Sequence, residues 1–254
     1  MGSPLFAASM STPQDSARSY VVAHHPTALA AILGGGATSA RRTSTSDLDI
    51  VVFVSDPPPP FRVTDEHDGW PVELFAHTRE TFVSFVDREV ALRGSPLLHM
   101  CAEGTLLFDH SGIGEWARTT SRERFAEGPP PLSPTELEDA RYRVTDLLDD
   151  LAGATDPDER LLIANRLLTT VAELVLSVRG SWLGTGKWLL RRLREVDPVA
   201  CASLLSTYRA LVASDAPEAF HRAVSDVLDS VGGRLLVGYR RPPASGREPG
   251  QPVA

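Results

Sequence analysis

The hydrophobic pattern divides the chain into two halves with different periods. In the first 110 residues, short apolar runs such as 29–33 and 50–54 alternate with turn residues, which predicts strands. After the Gly-Pro-Pro-Pro stretch at 128–131, apolar residues recur every three or four positions, which predicts helices. We therefore predict an α+β protein, with an N-terminal domain built on a mixed central sheet flanked by helices and a C-terminal α-helical bundle.

Composition places the domain boundaries. Residues 1–13 carry small residues and prolines without periodicity, and residues 242–254 are rich in Pro and Gly, so we expect both ends to be disordered. The proline-rich linker separates residues 14–127, the predicted sheet domain, from residues 133–241, the predicted bundle.

A predicted hairpin introduces an acidic residue into an apolar strand. Residues 61–66 and 70–77 flank an Asp-Gly turn at 68–69. Side chains alternate along a strand, so Glu73 lies on the face opposite Val72 and Leu74. A buried carboxylate is costly without a partner. Glu73 is therefore either a site residue beside a second strand or an edge residue that points to water. We expect His77 to lie at the surface, outside any site.

Two further acids lie between the first two predicted strands. Asp47 and Asp49 share one strand face, with Cα atoms roughly 6.6 Å apart at about 3.3 Å per residue. Two carboxylates on one face repel each other unless a cation or a proton lies between them. Mg2+ prefers oxygen ligands and keeps substrate phosphates in its shell, so the pair suggests half of a metal site. Gly35 and Gly36 lack Cβ atoms, which lets the backbone approach a phosphate closely.

The diglycine turn followed by Ser46, Asp47 and Asp49 resembles the signature of the polymerase-beta-like nucleotidyltransferase superfamily, and of aminoglycoside adenylyltransferases in particular. The resemblance implies that Asp47 and Asp49 bind Mg2+ and that Gly35, Gly36 and Ser46 hold the triphosphate of ATP. It also implies that a third carboxylate on the sheet, here Glu73, coordinates the metal or acts as the general base.

Two residues of the predicted bundle are further candidates. Lys187 follows Gly184-Thr185-Gly186 near a predicted helix start, where backbone N–H groups and an ammonium could hold phosphate. The segment resembles the lysine-containing segment of the adenylyltransferase helical domain, and the alternative is a surface lysine. Glu173 lies in the most apolar helix. In some aminoglycoside nucleotidyltransferases a glutamate of the helical domain is the base, so Glu173 competes with Glu73 for that role.

Charge and composition limit the partners. The net charge of −8 argues against a large nucleic-acid footprint, which needs a basic surface. Cys101 and Cys201 show no spacing typical of a disulfide framework or a zinc site. The chain has no run of 18 or more apolar residues and no signal-like N-terminus, so we expect a cytoplasmic protein without a membrane partner. The oligomeric state is open.

The sequence favours a Mg2+-dependent transferase that moves a nucleoside monophosphate, AMP from ATP, to a hydroxyl of a small molecule such as an aminoglycoside. Two alternatives stay open. The chain could adenylylate a protein, as minimal nucleotidyltransferases of toxin–antitoxin pairs do, or it could be an inactive nucleotide-binding protein. The cleft between the two predicted domains is where we expect the acceptor.

Overall fold

The structure is a computed structural model that describes residues 11–35, 43, 45–55 and 61–241. The chain divides into two compact units, Met1–Pro130 and Pro131–Ala254. In the described residues the first unit contains a five-stranded mixed sheet with helices, and the second contains helices. The predicted α+β class is therefore confirmed. The disorder predicted at the two ends concerns mostly residues that lie outside the described ones. At residues 12–13 the prediction is wrong, because Thr12 caps the first helix and Pro13 is its first residue.

The sheet of the first unit has the strand order β3-β4-β2-β1-β5. β2 and β4 are parallel, and the other neighbouring pairs are antiparallel. The strands are β1 (Ala30–Gly34), β2 (Leu48–Phe53), β3 (Phe61–His67), β4 (Trp70–His77) and β5 (Thr105–Asp109). The predicted hairpin is β3–β4, and its Asp68-Gly69 turn has positive φ at both residues, which suits Asp and Gly.

Alternation along the strands gives the sheet two faces, and a helix packs against each of them. The first face buries Ile50 and Leu74 fully, together with Tyr20 from the first helix. On the second face, Phe53 packs edge to face against Phe82 of the second helix, with ring centroids 5.3 Å apart. The helices of this unit are α1 (Pro13–His24), α2 (Arg79–Ala91), α3 (Pro96–Glu103) and α4 (Ile113–Glu127).

Local signals explain where these helices begin. Thr78 caps α2 with a reciprocal pair of hydrogen bonds to Thr81, and Pro96 occupies the first turn of α3, where a missing N–H costs nothing. The sequence did not predict α4. This helix is mostly polar, and Ala117 and Ser121 are among its few buried residues.

Most described helices of the second unit begin at or directly after a proline. Ser133 and Glu136 form the predicted capping box before the first of them. Arg141 ties this helix to the end of the last one by donating from Nε to the Gly233 carbonyl at 2.8 Å. The helices are α5 (Pro134–Gly153), α6 (Pro157–Val178), α7 (Lys187–Val196), α8 (Pro198–Ser214) and α9 (Glu218–Ser230).

Helix α6 is long and contains many apolar residues. Its length and composition would allow it to cross a membrane, but a core helix of a soluble protein passes the same test. Leu167 and Val171 are fully buried against residues of α5, α8 and α9, including Leu148 and Leu204. The apolar face of α6 therefore forms the core of the second unit.

Candidate active site

The strand register brings three carboxylates together on one face of the sheet. Asp49 of β2 lies directly opposite Glu73 of the parallel strand β4, and Asp47 precedes Asp49 on the same face. One ligand oxygen from each of the three side chains lies within 4.8 Å of the others, and all three residues are partly buried. Adjacent residues on paired strands face the same way, so this grouping follows from register alone.

The electrostatics of this group favour a cation. Two full negative charges about 5 Å apart repel each other by ~1 kcal/mol in water and ~3.5 kcal/mol at an effective dielectric constant near 20. Three carboxylates at this spacing offer oxygen ligands to a hard divalent cation and would lose much of their repulsion on binding it. The donor set therefore fits Mg2+, and the geometry shows that Asp47, Asp49 and Glu73 could hold a metal ion.

Glu73 also has a partner that the sequence did not predict. Nη2 of Arg62, on the neighbouring strand β3, lies 2.6 Å from both carboxylate oxygens of Glu73. The Arg62 side chain is 60% exposed and that of Glu73 is 24% exposed. The guanidinium also lies over the ring of Phe75, 5.2 Å from its centroid. Arg62 therefore fixes Glu73 and neutralises one of the three acids.

A glycine turn borders the carboxylates. Gly34 at the end of β1 pairs with Asp49, and Gly35 follows with φ +72°, a conformation that L side chains rarely adopt. A Cβ atom on Gly35 would lie 1.9 Å from Oδ2 of Asp49. Glycine is required here both by the backbone conformation and by the space that the Asp49 carboxylate fills. Gly36, the second glycine of the predicted phosphate turn, lies outside the described residues.

Ser46 stabilises the turn that precedes Asp47. Its Oγ accepts a hydrogen bond from the Thr43 N–H at 2.9 Å, and its own N–H donates to the Thr43 carbonyl at 3.2 Å. The hydroxyl accepts in the first of these bonds, so its proton can still be donated to another group. The structure thus gives Ser46 a local structural role, and its predicted contact with phosphate stays a prediction.

His77 lies at the other end of the same face of β4, and here the prediction was wrong. We expected a surface histidine, but His77 is 4% exposed and packs against the rings of Phe82 and Phe85. Burial lowers its pKa to about 4. In the part of the chain that the structure describes, its Nδ1 has no hydrogen-bond partner. The start of α2 covers the end of β4, and the alternation of β4 alone could not show this.

The remaining candidates lie in the second unit. Lys187 is the first residue of α7 and is exposed. The guanidinium of Arg191 lies over the ring of Trp188, which follows Lys187 in the chain. Glu173 is half-buried on α6, and burial raises its pKa, although Arg166 and Arg143 act in the opposite direction. The predicted contact of Lys187 with nucleotide phosphates stays a prediction, as does the cleft between the domains.

Comparisons with known proteins leave the family open. No protein-family model matches the chain, and no curated protein is similar to it. Among solved structures, the chain is similar to a nucleotidyltransferase-like protein from Exiguobacterium sibiricum 255-15. The two share 13% sequence identity with a TM-score of 0.48, over 85% of this chain and 74% of that one. A likeness at this level assigns neither a family nor an activity.

Proposed function

We propose that this chain is a divalent-cation-dependent nucleotidyltransferase that transfers AMP from ATP to a hydroxyl of a small molecule. The observation that carries the proposal is the group of Asp47, Asp49 and Glu73, with ligand oxygens within 4.8 Å. The adjoining Gly35 turn and the resemblance of the Gly-Gly and Ser-Asp-x-Asp segments to the nucleotidyltransferase signature support it.

Asp47, Asp49 and Glu73 would hold Mg2+, which supplies charge neutralisation for the triphosphate when bound. Backbone N–H groups at Gly35 and Gly36 and the Ser46 hydroxyl would donate to phosphate oxygens. Lys187 would add a positive charge to the same phosphates. Catalysis of this kind rests mainly on positioning and on charge stabilisation, since the phosphoryl group needs little covalent assistance.

Glu73 is the proposed general base. It would take the proton from the acceptor hydroxyl while that oxygen forms a bond to the α-phosphorus, and the bond from the α-phosphorus to the pyrophosphate oxygen would break. The Arg62 guanidinium contacts both carboxylate oxygens of Glu73, so Arg62 would have to move away before Glu73 could accept the proton. Glu173 is the competing candidate. We favour Glu73 because it lies among the carboxylates that would bind the nucleotide.

The acceptor is proposed to be a small molecule, and an aminoglycoside is the class suggested by the resemblance. An acidic chain of net charge −8 suits a cationic acceptor better than an anionic one. Cytoplasmic location is part of the same proposal, because ATP and Mg2+ are available there.

The experiment uses ATP labelled at either the α- or the γ-phosphate. The full chain is incubated with Mg2+ and with an aminoglycoside panel or a cell lysate, in parallel with Asp49→Asn and with the exposed control Glu66→Gln. The proposal expects α-label on a small molecule and release of pyrophosphate, with Asp49→Asn inactive and Glu66→Gln active. Transfer of γ-label would indicate a kinase, and α-label on protein alone would indicate protein adenylylation. Either result, or no transfer at all, would overturn the proposal.

A further inference from the structure

The helical unit contains a half-open cavity of about 280 Å³ between α6, α7 and the loop that joins them. At about 30 Å³ per water molecule, the cavity has room for roughly nine waters. This volume lies just below the usual range of ligand sites in proteins. The described lining is mainly apolar and includes Leu168, Ala172, Glu173, Leu189, Leu193 and Leu205.

The wall formed by the loop is held in place by specific contacts. Nη1 of Arg192 donates a hydrogen bond to the Leu183 carbonyl. Trp182, just before it, is 5% exposed. A Cβ atom on Gly184 would lie 2.8 Å from the backbone carbon of Trp188, so the loop packs directly on the first turn of α7. The cavity is therefore preformed, and a ligand would not need to order this loop.

Glu173 is the charged residue among the described lining residues. Its side chain is half-buried, and no described residue forms a hydrogen bond or an ion pair with its carboxylate. Arg166 and Arg143 influence it only from a distance and are themselves exposed. A carboxylate in an apolar wall has lost part of its hydration, so a ligand that donates charged hydrogen bonds to it would be favoured.

We propose that this cavity binds a small primary amine with a short apolar body. The ammonium group would donate to the Glu173 carboxylate, and the apolar body would contact the leucines of α6, α7 and α8. Arg166 and Arg143 oppose a ligand with several positive charges, and the leucine walls would desolvate the many hydroxyls of a sugar-like ligand without replacing their hydrogen bonds. The proposal concerns the helical unit alone, and this binding needs no nucleotide.

The test compares hexylamine, hexanol and hexanoate as probes of the full chain by isothermal titration calorimetry. A charge-assisted hydrogen bond predicts a Kd for hexylamine at least about tenfold lower than for hexanol, and hexanoate should bind most weakly. Glu173→Gln should remove the preference for the amine and leave the affinity for hexanol unchanged. The matched control Glu138→Gln, on the exposed side of α5, should keep the preference.

A second measurement uses the unmodified chain. In methyl NMR spectra, hexylamine should shift the methyl signals of Leu189 and Leu193, which line the cavity, and leave those of Leu148 unchanged. Equal affinity for hexylamine and hexanol, an unchanged preference in a folded Glu173→Gln variant, or the absence of shifts at Leu189 and Leu193 would each overturn the proposal.

Discussion

The two units place their acidic residues in opposite ways. In the sheet unit, Asp47, Asp49 and Glu73 converge to within 4.8 Å, and Arg62 neutralises one of them. In the helical unit, Glu173 is the one acidic residue among the described residues that line the apolar cavity. The three carboxylates of the first group repel one another, and a bound cation would reduce that repulsion. The single carboxylate of the second is unfavourable because it has lost part of its hydration.

The difference shows how secondary structure determines the spacing between acidic side chains. Parallel strands in register set side chains about 5 Å apart across β2 and β4, so two segments distant in sequence can build a multidentate site. A single helix spreads its side chains around its axis, so one acid on an apolar face meets leucines rather than other acids. A carboxylate cluster suits a divalent cation with its phosphates, and an isolated carboxylate suits a single ammonium group.

The largest expected effect separates the two regions by activity. Asp49→Asn or Glu73→Gln should lower kcat for nucleotidyl transfer at least about a hundredfold, because each removes a ligand or the base. The loss of kcat in Glu173→Gln should be at least about ten times smaller than in these variants. Steady-state kinetics with ATP and with the acceptor that the labelling experiment identifies would measure these losses. A larger loss in Glu173→Gln than in Glu73→Gln would assign the base to the helical unit instead.

Gly35→Ala should cost stability and also disturb the carboxylates. The positive φ penalises alanine by about 1–2 kcal/mol, and the overlap of its Cβ with Asp49 adds about 1–2 kcal/mol. Gly69→Ala is the matched control, because Gly69 has φ +76° with no atom within 4 Å of the added Cβ. Urea unfolding should show the larger loss for Gly35→Ala. Equal losses would mean that Asp49 yields freely to the added methyl group.

The buried His77 predicts that the stability of the sheet unit depends on pH. Its pKa is about 4 in the folded protein and near 6.5 when unfolded, so the unfolded state binds more protons between these values. Stability should therefore fall as the pH drops, by about 2 kcal/mol between pH 7 and pH 5. His77→Leu should flatten this part of the profile, and the exposed control His110→Leu should leave it unchanged. The free energy of unfolding would be measured across this pH range. Identical pH profiles for His77→Leu and for the unmodified chain would contradict the prediction.

The smallest effect concerns Arg62. Its guanidinium is largely exposed, so Arg62→Gln should change the free energy of unfolding by less than about 1 kcal/mol. The same change frees Glu73 and removes a nearby positive charge, so affinity for Mn2+ should rise about two- to fivefold. Calorimetric titration would measure it, with Arg124→Gln, which breaks the pair with Asp87, as the control. Weaker Mn2+ binding in Arg62→Gln would show that Arg62 positions Glu73 for the metal.

The sequence predicted those features that depend on local pattern. The alternation of side chains along the strand placed Glu73 on the face opposite Val72 and Leu74. The Asp-Gly pair indicated the hairpin, and the capping box at Ser133 indicated the start of α5. The α+β class followed from the change of period along the chain. The pairing of Asp49 with Glu73 was expected from the resemblance, since strand order cannot be derived from spacing alone.

The features that the sequence did not predict depend on contacts between distant segments. Arg62 reaches Glu73 diagonally across β3 and β4, a contact that requires the hairpin register. Helix α4 is too polar to show a clear apolar period in the sequence. Its buried side is seen only in the folded unit, where Ala117 is buried. His77 became a core residue because α2 folds back over the strand end.

The central claim is that Asp47, Asp49 and Glu73 form a metal site. Electron paramagnetic resonance of free Mn2+ measures its binding to the full chain directly, without relying on catalysis. The account predicts saturable binding that Mg2+ displaces, that Asp47→Asn and Asp49→Asn each weaken at least about tenfold, and that Glu66→Gln preserves. Mn2+ binding of equal strength in all four proteins, or no binding in the unmodified chain with or without ATP, would contradict it.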